Sequence, residues 1–512
     1  VHEPRGTRIC IQTGEVLQKG NFYRDNLRGA KSEYVYISDG KPHVLSPKFT
    51  YYGYRYAKVT GVHQLTLDSF VGVAYYSDVH PVSTMVTGDE KLNQLLSNIR
   101  WGQKSNFVDV PTDCPQRDER MGWTGDTQVF AATACYLTDA CAFYEKYLYD
   151  MQKEQNKRGG CVPDTIPAFY MRGGCCVWGD AATILPWTLY LFYGDVNILR
   201  TALPSMRAWV DYIAAVDGDT HHWRKVFHFG DWLALDHPSG RADEVRGGTD
   251  EGFIADAYYY NSARLVAKAA AVLGDAATEA AYQKRAERIL SDLQQEYFTP
   301  TGRCAVDTQT AQILTLYFGL TNQPEKAHQE LMRLLLLRGD KLSTGFVGTP
   351  LLCRVLSQVG EDKMAYHLLH NEEYPGWLYE VNLGATTIWE RWNSLSPDGS
   401  VSSTGMNSFN HYAYGAIGEW MWRTMAGINP CEEQPGFKRV VLRPVSDAAV
   451  KHVTAAYHSP AGCYRVSWRM EEAGICRFHI EIPFDCTADL MLPGQKPMEL
   501  ECGKYDFACA VG

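Results

Sequence analysis

Between Thr87 and about residue 425, the apolar residues of this 512-residue chain fall at helical spacing in one segment after another. That pattern buries a face only when wound into helices. Leu92, Leu95, Leu96 and Ile99 share a stripe, and Thr87-Gly-Asp-Glu90 ahead of them matches a capping box. After Gly125-Asp126 a long run carries Val129, Ala132, Tyr136, Ala140, Tyr144, Tyr147 and Met151. Further helices are expected over 180–193, 196–215, 254–273, 276–297, 308–319, 325–337, 348–359, 362–370 and 407–425. About ten to twelve helices in one stretch imply a large all-α domain. The lack of a fixed sequence repeat favours a closed toroid of helix pairs over an extended solenoid.

The flanks read differently. Residues 1–85 carry strand signals in YVYIS (34–38), in YRYAKVTG ending at Gly61, and in LTLDSFVGVAYYS (65–77). So short a region does not bury two complete sheets, so a β-sandwich portion missing its beginning, or sharing its sheets, is expected. Past Pro430, Tyr464, Val466, Trp468 and Met470 alternate, as do Cys476, Phe478, Ile480 and Ile482, then Ala488, Leu490 and Leu492. This is the period of a small antiparallel β-sandwich, and its lack of concentrated acid or base favours a stabilising or spacer role. The expected organisation is a β region at 1–85, a helical domain at 86–428 and a second β-sandwich at 429–512.

The densest chemistry lies in DVPTDCPQRDERMGWTGD, residues 109–126. It combines Asp113, Asp118, Glu119 and Asp126 with Arg117, Arg120 and Trp123. Carboxylates and guanidinium groups bind sugar hydroxyls and an indole binds the apolar face of a pyranose, so the mixture suits a carbohydrate; a phosphate site would want the reverse charge. The ordinary reading is a solvated turn of paired charges. Pro111, Pro115, Gly122 and Gly125 weigh against it, because a stiff, irregular segment rich in polar groups is costly unless it builds a site.

A second candidate is ATTIWERWNS (385–394), where Glu390 sits between Trp389 and Arg391-Trp392 as either an ion pair with Arg391 or a poised base. Glycoside hydrolysis needs a proton donor and a second carboxylate that attacks carbon or activates water. Trp178 and Trp232 each stand beside Gly-Asp, in Cys176-Val-Trp178-Gly-Asp180 and His228-Phe-Gly-Asp231-Trp232. Such loops gather at one rim of a toroid. His411, in FNHYAYG, is a core histidine or a ligand donor. No HExxH, GxSxG, phosphate-loop or dinucleotide pattern occurs, so no metal or cofactor is expected.

Composition narrows the partners. A net charge of −10 and a pI near 5.9 argue against nucleic acid. No apolar run approaches the roughly 20 residues of a spanning helix, so no membrane partner is expected. Fifteen cysteines without a C-x-x-C favour thiols in a reducing compartment, and hence the cytoplasm. The first residues lack a secretory signal, and a start at Val1 is compatible with a processed or truncated piece. A homodimer is compatible with all of this.

DCPQRDERMGWTGD, with GATTIWERWNS and PGFKRVVLRP, closely resembles the bacterial α-L-rhamnosidases of glycoside hydrolase family 78. YYGYRYAKVTG resembles the end of the β-domain ahead of their catalytic barrel, so the likeness spans nearly the whole chain. The resemblance implies an (α/α)6 barrel between two β-sandwich parts, with Glu119 as general acid and Glu390 as general base. It also implies substrate-binding roles for Asp113, Arg117, Trp123, Asp126, Trp178, Trp232 and His411. Additional N-terminal β-sandwich domains that the family usually carries do not appear here. The expected function is an inverting exo-α-L-rhamnosidase acting on a small-molecule or oligosaccharide rhamnoside, with Arg391 as the cation that keeps Glu390 ionised. Its rivals are an (α/α)6 glycoside phosphorylase, which would need basic groups where Glu390 stands, and a catalytically inactive carbohydrate-binding protein, which would have lost Glu119 or Glu390.

Overall fold

A computed structural model describes residues 1–169, 173–218, 220–241, 244–403 and 405–511. The N-terminal flank contains β1 (Arg8–Gly14), β2 (Val16–Gln18), β3 (Asn21–Tyr23), β4 (Glu33–Ile37) and β5 (Tyr56–Thr60). β1 is central in an antiparallel three-stranded sheet of order β4-β1-β5, while β2 and β3 form a separate hairpin. The strands expected near 34–38 and 54–61 are β4 and β5. The third expectation fails: 65–77 contains only a 3-10 turn at Leu67–Ser69, and Val71 and Val73 are exposed. Alternation reports which way side chains would face, but a strand also needs a neighbour to pair with.

β6 (Ser83–Thr87) does not join the N-terminal sheets. It pairs antiparallel with a strand of the C-terminal region, from Thr87↔Val453 to Ser83↔Tyr457. This explains why the expected capping box is not used. Thr87 is locked in the sheet, and Asp89 caps α1 (Glu90–Asn106), its carboxylate accepting from Lys91 N and Leu92 N.

β7 (Phe107–Val108) and β8 (Val110–Pro111) make a tight hairpin before α2 (Thr124–Leu137). The run expected to continue to Met151 breaks. Thr138 is extended and bridges to Pro81, so α3 (Cys141–Asn156) is a separate helix. Then come α4 (Ala181–Tyr193), α5 (Val196–Asp217), α6 (Glu251–Val272), α7 (Ala276–Tyr297), α8 (Gln309–Phe318), α9 (Pro324–Leu337), α10 (Thr349–Gln358), α11 (Asp362–His370), α12 (Trp377–Asn382) and the short α13 (Ile417–Trp420).

These helices alternate in character. α2, α4, α6, α8 and α10 are buried nearly all round, whereas α3, α5, α7, α9 and α11 bury one stripe. In α7 that stripe is Tyr282, Ala286, Ile289, Leu293 and Tyr297, which leaves the charged face of the helix outward. The buried set forms a closed circuit: α2 touches α4, α4 touches α6, then α8 and α10 follow, and α13 packs on both α10 and α2. The expected helix over 407–425 is a correction. Residues 407–412 are irregular, and helical backbone starts only at Ala413.

Beyond it lie β9 (Ile428–Pro430), β10 (Arg439–Leu442), β11 (His452–Ser459), β12 (Gly462–Met470), β13 (Ile475–Ile482), β14 (Thr487–Leu490), β15 (Met498–Leu500) and β16 (Gly503–Ala510). They form two sheets, ordered β16-β13-β12-β11-β6 and β15-β14-β10-β9. Tyr464, Val466 and Trp468 of β12 are buried, as their alternation requires. One pairing departs from the expected antiparallel order: β10 and β14 are parallel. Three strands of the other sheet separate them in sequence, long enough for the crossover a parallel pair needs.

Candidate active site

The 109–126 segment is folded back on itself. Asp113 N–H donates to Met121 O at 2.9 Å, and Met121 N–H donates to Asp113 Oδ1 at 2.8 Å. This closure carries Arg117 inward until its side chain is 1% exposed. Gly125, in the first turn of α2, has no room for a side chain, because a Cβ would meet the Trp178 indole at 2.6 Å. The helix start and that indole are therefore in direct contact.

Glu390 arrives from the other end of the domain's sequence, on the segment between α12 and α13. Residues 388–395 run against 401–411: Glu390 N–H donates to Ser408 O at 2.9 Å, His411 N–H donates to Ile388 O at 2.8 Å, and Leu395 bridges Val401. This pairing is the physical reason that 407–412 is not helical. It also puts Glu390 and His411 in one short hairpin.

Arg117 joins the two carboxylates. Its Nη1 donates to Glu390 Oε2 at 2.7 Å and its Nη2 to Oε1 at 3.0 Å, a bidentate pair. The same Nη2 lies 2.9 Å from Glu119 Oε2 and 3.6 Å from Asp113 Oδ2. Ser408 N–H adds a third donor to Glu390 at 2.7 Å. Burial pushes the Glu390 carboxyl up, but Arg117 foremost, then His411 and the Ser408 N–H, outweigh it and hold it down at about 2. The cation beside Glu390 is thus Arg117 and not Arg391. Arg391 instead donates to Asn393 Oδ1 and to the backbone oxygens of Met406 and Glu244.

Asp113 is pushed the other way. Burial, then the negative charge of Glu119, raise its carboxyl to about 7 against the pull of Arg117 and His411. His411 Nε2 lies 3.0 Å from Asp126 Oδ1. Burial opposes the imidazolium there, but Asp126, Glu390 and Asp113 together raise its proton affinity.

The nine candidates Asp113, Arg117, Glu119, Trp123, Asp126, Trp178, Trp232, Glu390 and His411 all line one cavity of about 440 Å³. Asp164, Thr165, Phe229, Phe346 and Met406 line it too, and sequence reasoning missed them. For Phe229 a signal existed, since it lies inside His228-Phe-Gly-Asp231-Trp232. It packs against all three indoles, 6.0 Å from Trp123, 4.4 Å from Trp178 and 5.4 Å from Trp232 between ring centres. Among the described residues, Asp113 Oδ2 and the indole nitrogens of Trp123 and Trp178 are buried without a hydrogen-bond partner.

The Gly-Asp pairs serve as anchors for this wall. Asp180 accepts from Val177 N at 2.7 Å and from Trp209 Nε1 at 3.0 Å, pinning the turn that carries Trp178. Asp231 is fully buried and accepts from Gly345 N at 2.9 Å, from Val347 N at 2.8 Å and from the Thr310 hydroxyl, which pins the turn that carries Trp232.

The two indoles nevertheless differ. Trp178 is only 3% exposed, as deep as core, while Trp232 is half-buried. Trp232→Ala is therefore expected to raise KM for a bound sugar by about 2- to 10-fold, the worth of one aromatic contact, with little change in Tm. Trp178→Ala should also cost about 3–5 kcal/mol of stability. Denaturant titration beside steady-state kinetics separates the two, and a large stability loss for Trp232→Ala would make that ring core instead of wall.

Family models match nearly the whole length in three parts. Residues 80–425 match the bacterial alpha-L-rhamnosidase 6 hairpin glycosidase domain, residues 1–76 the corresponding concanavalin-like domain, and residues 427–505 the corresponding C-terminal domain. A relative named alpha-L-rhamnosidase from Formosa agariphila is 37% identical over 515 residues, covering 98% of this chain and 54% of that protein. The solved structure of Streptomyces avermitilis alpha-L-rhamnosidase complexed with L-rhamnose superposes with a TM-score of 0.92 at 36% identity, over 99% of this chain and 50% of that one. That of the Aspergillus terreus enzyme gives 0.93 at 31% identity, over 99% and 60%. The chain spans about half the length of the curated relatives it matches.

Proposed function

Because the chain belongs to the bacterial α-L-rhamnosidase family, we propose that it is a glycoside hydrolase that removes a terminal α-L-rhamnose from a glycoside with inversion at the anomeric carbon. The observation that carries the reading is Arg117. One buried guanidinium spans Glu390 and Glu119 inside a cavity faced by three indoles. The circuit of six buried helices and the alternation of buried and amphipathic helices support an (α/α)6 barrel as its frame.

In this mechanism Glu119 gives its proton to the glycosidic oxygen as the bond from that oxygen to C1 breaks. Water attacks C1 from the opposite face, and its proton passes to Glu390. One water is consumed, Glu119 is left ionised and Glu390 protonated, and solvent exchange restores both. Glu390 suits the second role because it is held as an anion and both its oxygens already accept donors. Asp113, Asp126 and His411 are the groups assigned to the sugar hydroxyls, and Trp123, Trp178 and Trp232 to its apolar face.

A phosphorylase would need cations free to hold phosphate, and the guanidinium beside the base is committed to Glu390. Release of p-nitrophenol from p-nitrophenyl α-L-rhamnoside tests the reaction. No turnover, with L-rhamnose binding retained, would favour a binding protein. Inversion has its own test: the first sugar seen by proton NMR, before mutarotation, is expected to be the β-anomer. An initial α-anomer, or an adduct trapped on Glu390 by a fluorinated substrate, would make the mechanism retaining while leaving the substrate unchanged.

A further inference from the structure

Glu119 is held by a residue from outside the helical domain. In the N-terminal flank, Asp25–Leu27 forms a 3-10 turn whose Asn26 and Leu27 are buried at 0% and 1% exposure. Asn26 Nδ2 donates to the buried Glu15 Oε2 at 2.7 Å and lies 3.4 Å from Asn407 O, close to the hairpin that carries Glu390. Arg28 follows with φ 54°, a backbone conformation that L residues adopt only at a cost, although Gly29 stands next in the chain. The strain is met by what its guanidinium reaches. Nε donates to Asp118 Oδ1 at 2.8 Å, Nη1 to Gly405 O at 3.2 Å and Nη2 to Glu119 Oε2 at 2.9 Å.

Glu119 Oε2 thus receives two cations, Arg28 on one side and Arg117 Nη2, also at 2.9 Å, on the other. Among the described residues no hydrogen bond is made to Oε1. A proton on Oε2 would lie against two positive charges, whereas one on Oε1 would not. We propose that Arg28 is a positioning residue for the general acid: with Arg117 it occupies Oε2, so that the transferable proton resides on Oε1, and it meets the charge left on Glu119 when that proton departs. Asp118 gains a part in this arrangement, since it fixes the Arg28 guanidinium from the side. The N-terminal β region then belongs to the active site and is not an accessory to it.

The proposal rests on the rhamnosidase reading above, and its test separates the two. The whole chain, Arg28→Ala and Arg28→Lys are assayed on p-nitrophenyl α-L-rhamnoside and on methyl α-L-rhamnoside, whose leaving group needs protonation far more. For Arg28→Ala, kcat on the methyl glycoside is expected to fall about tenfold or more, against about threefold or less on the p-nitrophenyl glycoside. KM should change little on either, and so should Tm, because the Arg28 side chain is 25% exposed and its ion pairs are near the surface. Arg28→Lys keeps the charge without the fork and is expected to recover part of the loss on the methyl glycoside. Should Arg28→Ala fail to fold, Asp118→Asn, which releases the guanidinium from its side anchor, is expected to give the same substrate signature in weaker form. Equal losses on the two substrates, no loss, or a change confined to KM would overturn the role of Arg28. A wild-type chain that turns over neither glycoside would overturn the rhamnosidase reading and this inference with it.

Discussion

Glu119→Gln is expected to lower kcat on an alkyl α-L-rhamnoside by about 100-fold or more, and to lower it much less on p-nitrophenyl α-L-rhamnoside. The amide is nearly isosteric. Its oxygen can take the place of Oε2 between Arg28 and Arg117, and its nitrogen the place of Oε1, so the loop and the sugar pocket keep their contacts. What is lost is the acid, because an amide has no proton of useful acidity to give to the departing oxygen. A nitrophenolate leaves with little help and an alkoxide does not, which makes the ratio between substrates more diagnostic than either rate. Affinity for L-rhamnose, measured by calorimetry, should stay within a few-fold of wild type. An equal loss on both substrates would remove Glu119 from the role of acid.

Arg117→Met is expected to be the most damaging single change at the site. It leaves Glu390, 2% exposed, with the Ser408 N–H and the field of His411 but without its bidentate partner. Removing one member of a buried ion pair costs roughly 3–5 kcal/mol, mostly for the charge left behind. Its pH dependence identifies the cause. In the wild type the Glu390 carboxyl is held at about 2, below its ordinary 4.5. The stabilisation from that shift is fully present above the ordinary value and is lost as pH falls through about 2. In the variant, burial is no longer outweighed by the guanidinium. The folded protein then binds the Glu390 proton more tightly than the unfolded chain does, and this contribution strengthens toward acid. The stability gap between the two proteins should therefore be widest near pH 7 and narrow toward pH 3. The acidic limb of kcat/KM, which requires ionised Glu390, should move up toward neutrality. A gap that is constant with pH would mean that Arg117 acts by packing alone.

Much of this was readable in the residues themselves. Helical spacing placed α4 to α11 to within a few residues, because a helix that must bury one face repeats its apolar residues every three or four positions whatever it packs against. The same logic of period two found β4, β5, β12 and β13. The 109–126 segment and Glu390 stood out by chemistry, since carboxylates, guanidinium groups and indoles crowded among prolines and glycines are hard to explain as surface. Asp180 and Asp231 were visible as neighbours of tryptophans, although their work as anchors was not.

Tertiary structure alone decided who meets whom. Arg391, adjacent to Glu390 in sequence, was the cation to expect beside it, yet Arg117 takes that place from 273 residues away. Arg28 reaches Glu119 across 91 residues, and β6 leaves the N-terminal flank to complete a sheet of the C-terminal one. Residues 407–412 have the composition of a helix start, but they pair with 388–390, and that long-range pairing brings Glu390 to the cavity. Trp178 lies at core depth because Gly125 lets α2 close onto it. Where a local pattern fixed the state of a segment, it did so because the energetics of a helix or strand run over a few neighbouring residues. The partner was fixed by which distant groups the closed circuit of helices brings within about 3 Å, where a charge or a hydrogen bond acts with most of its strength.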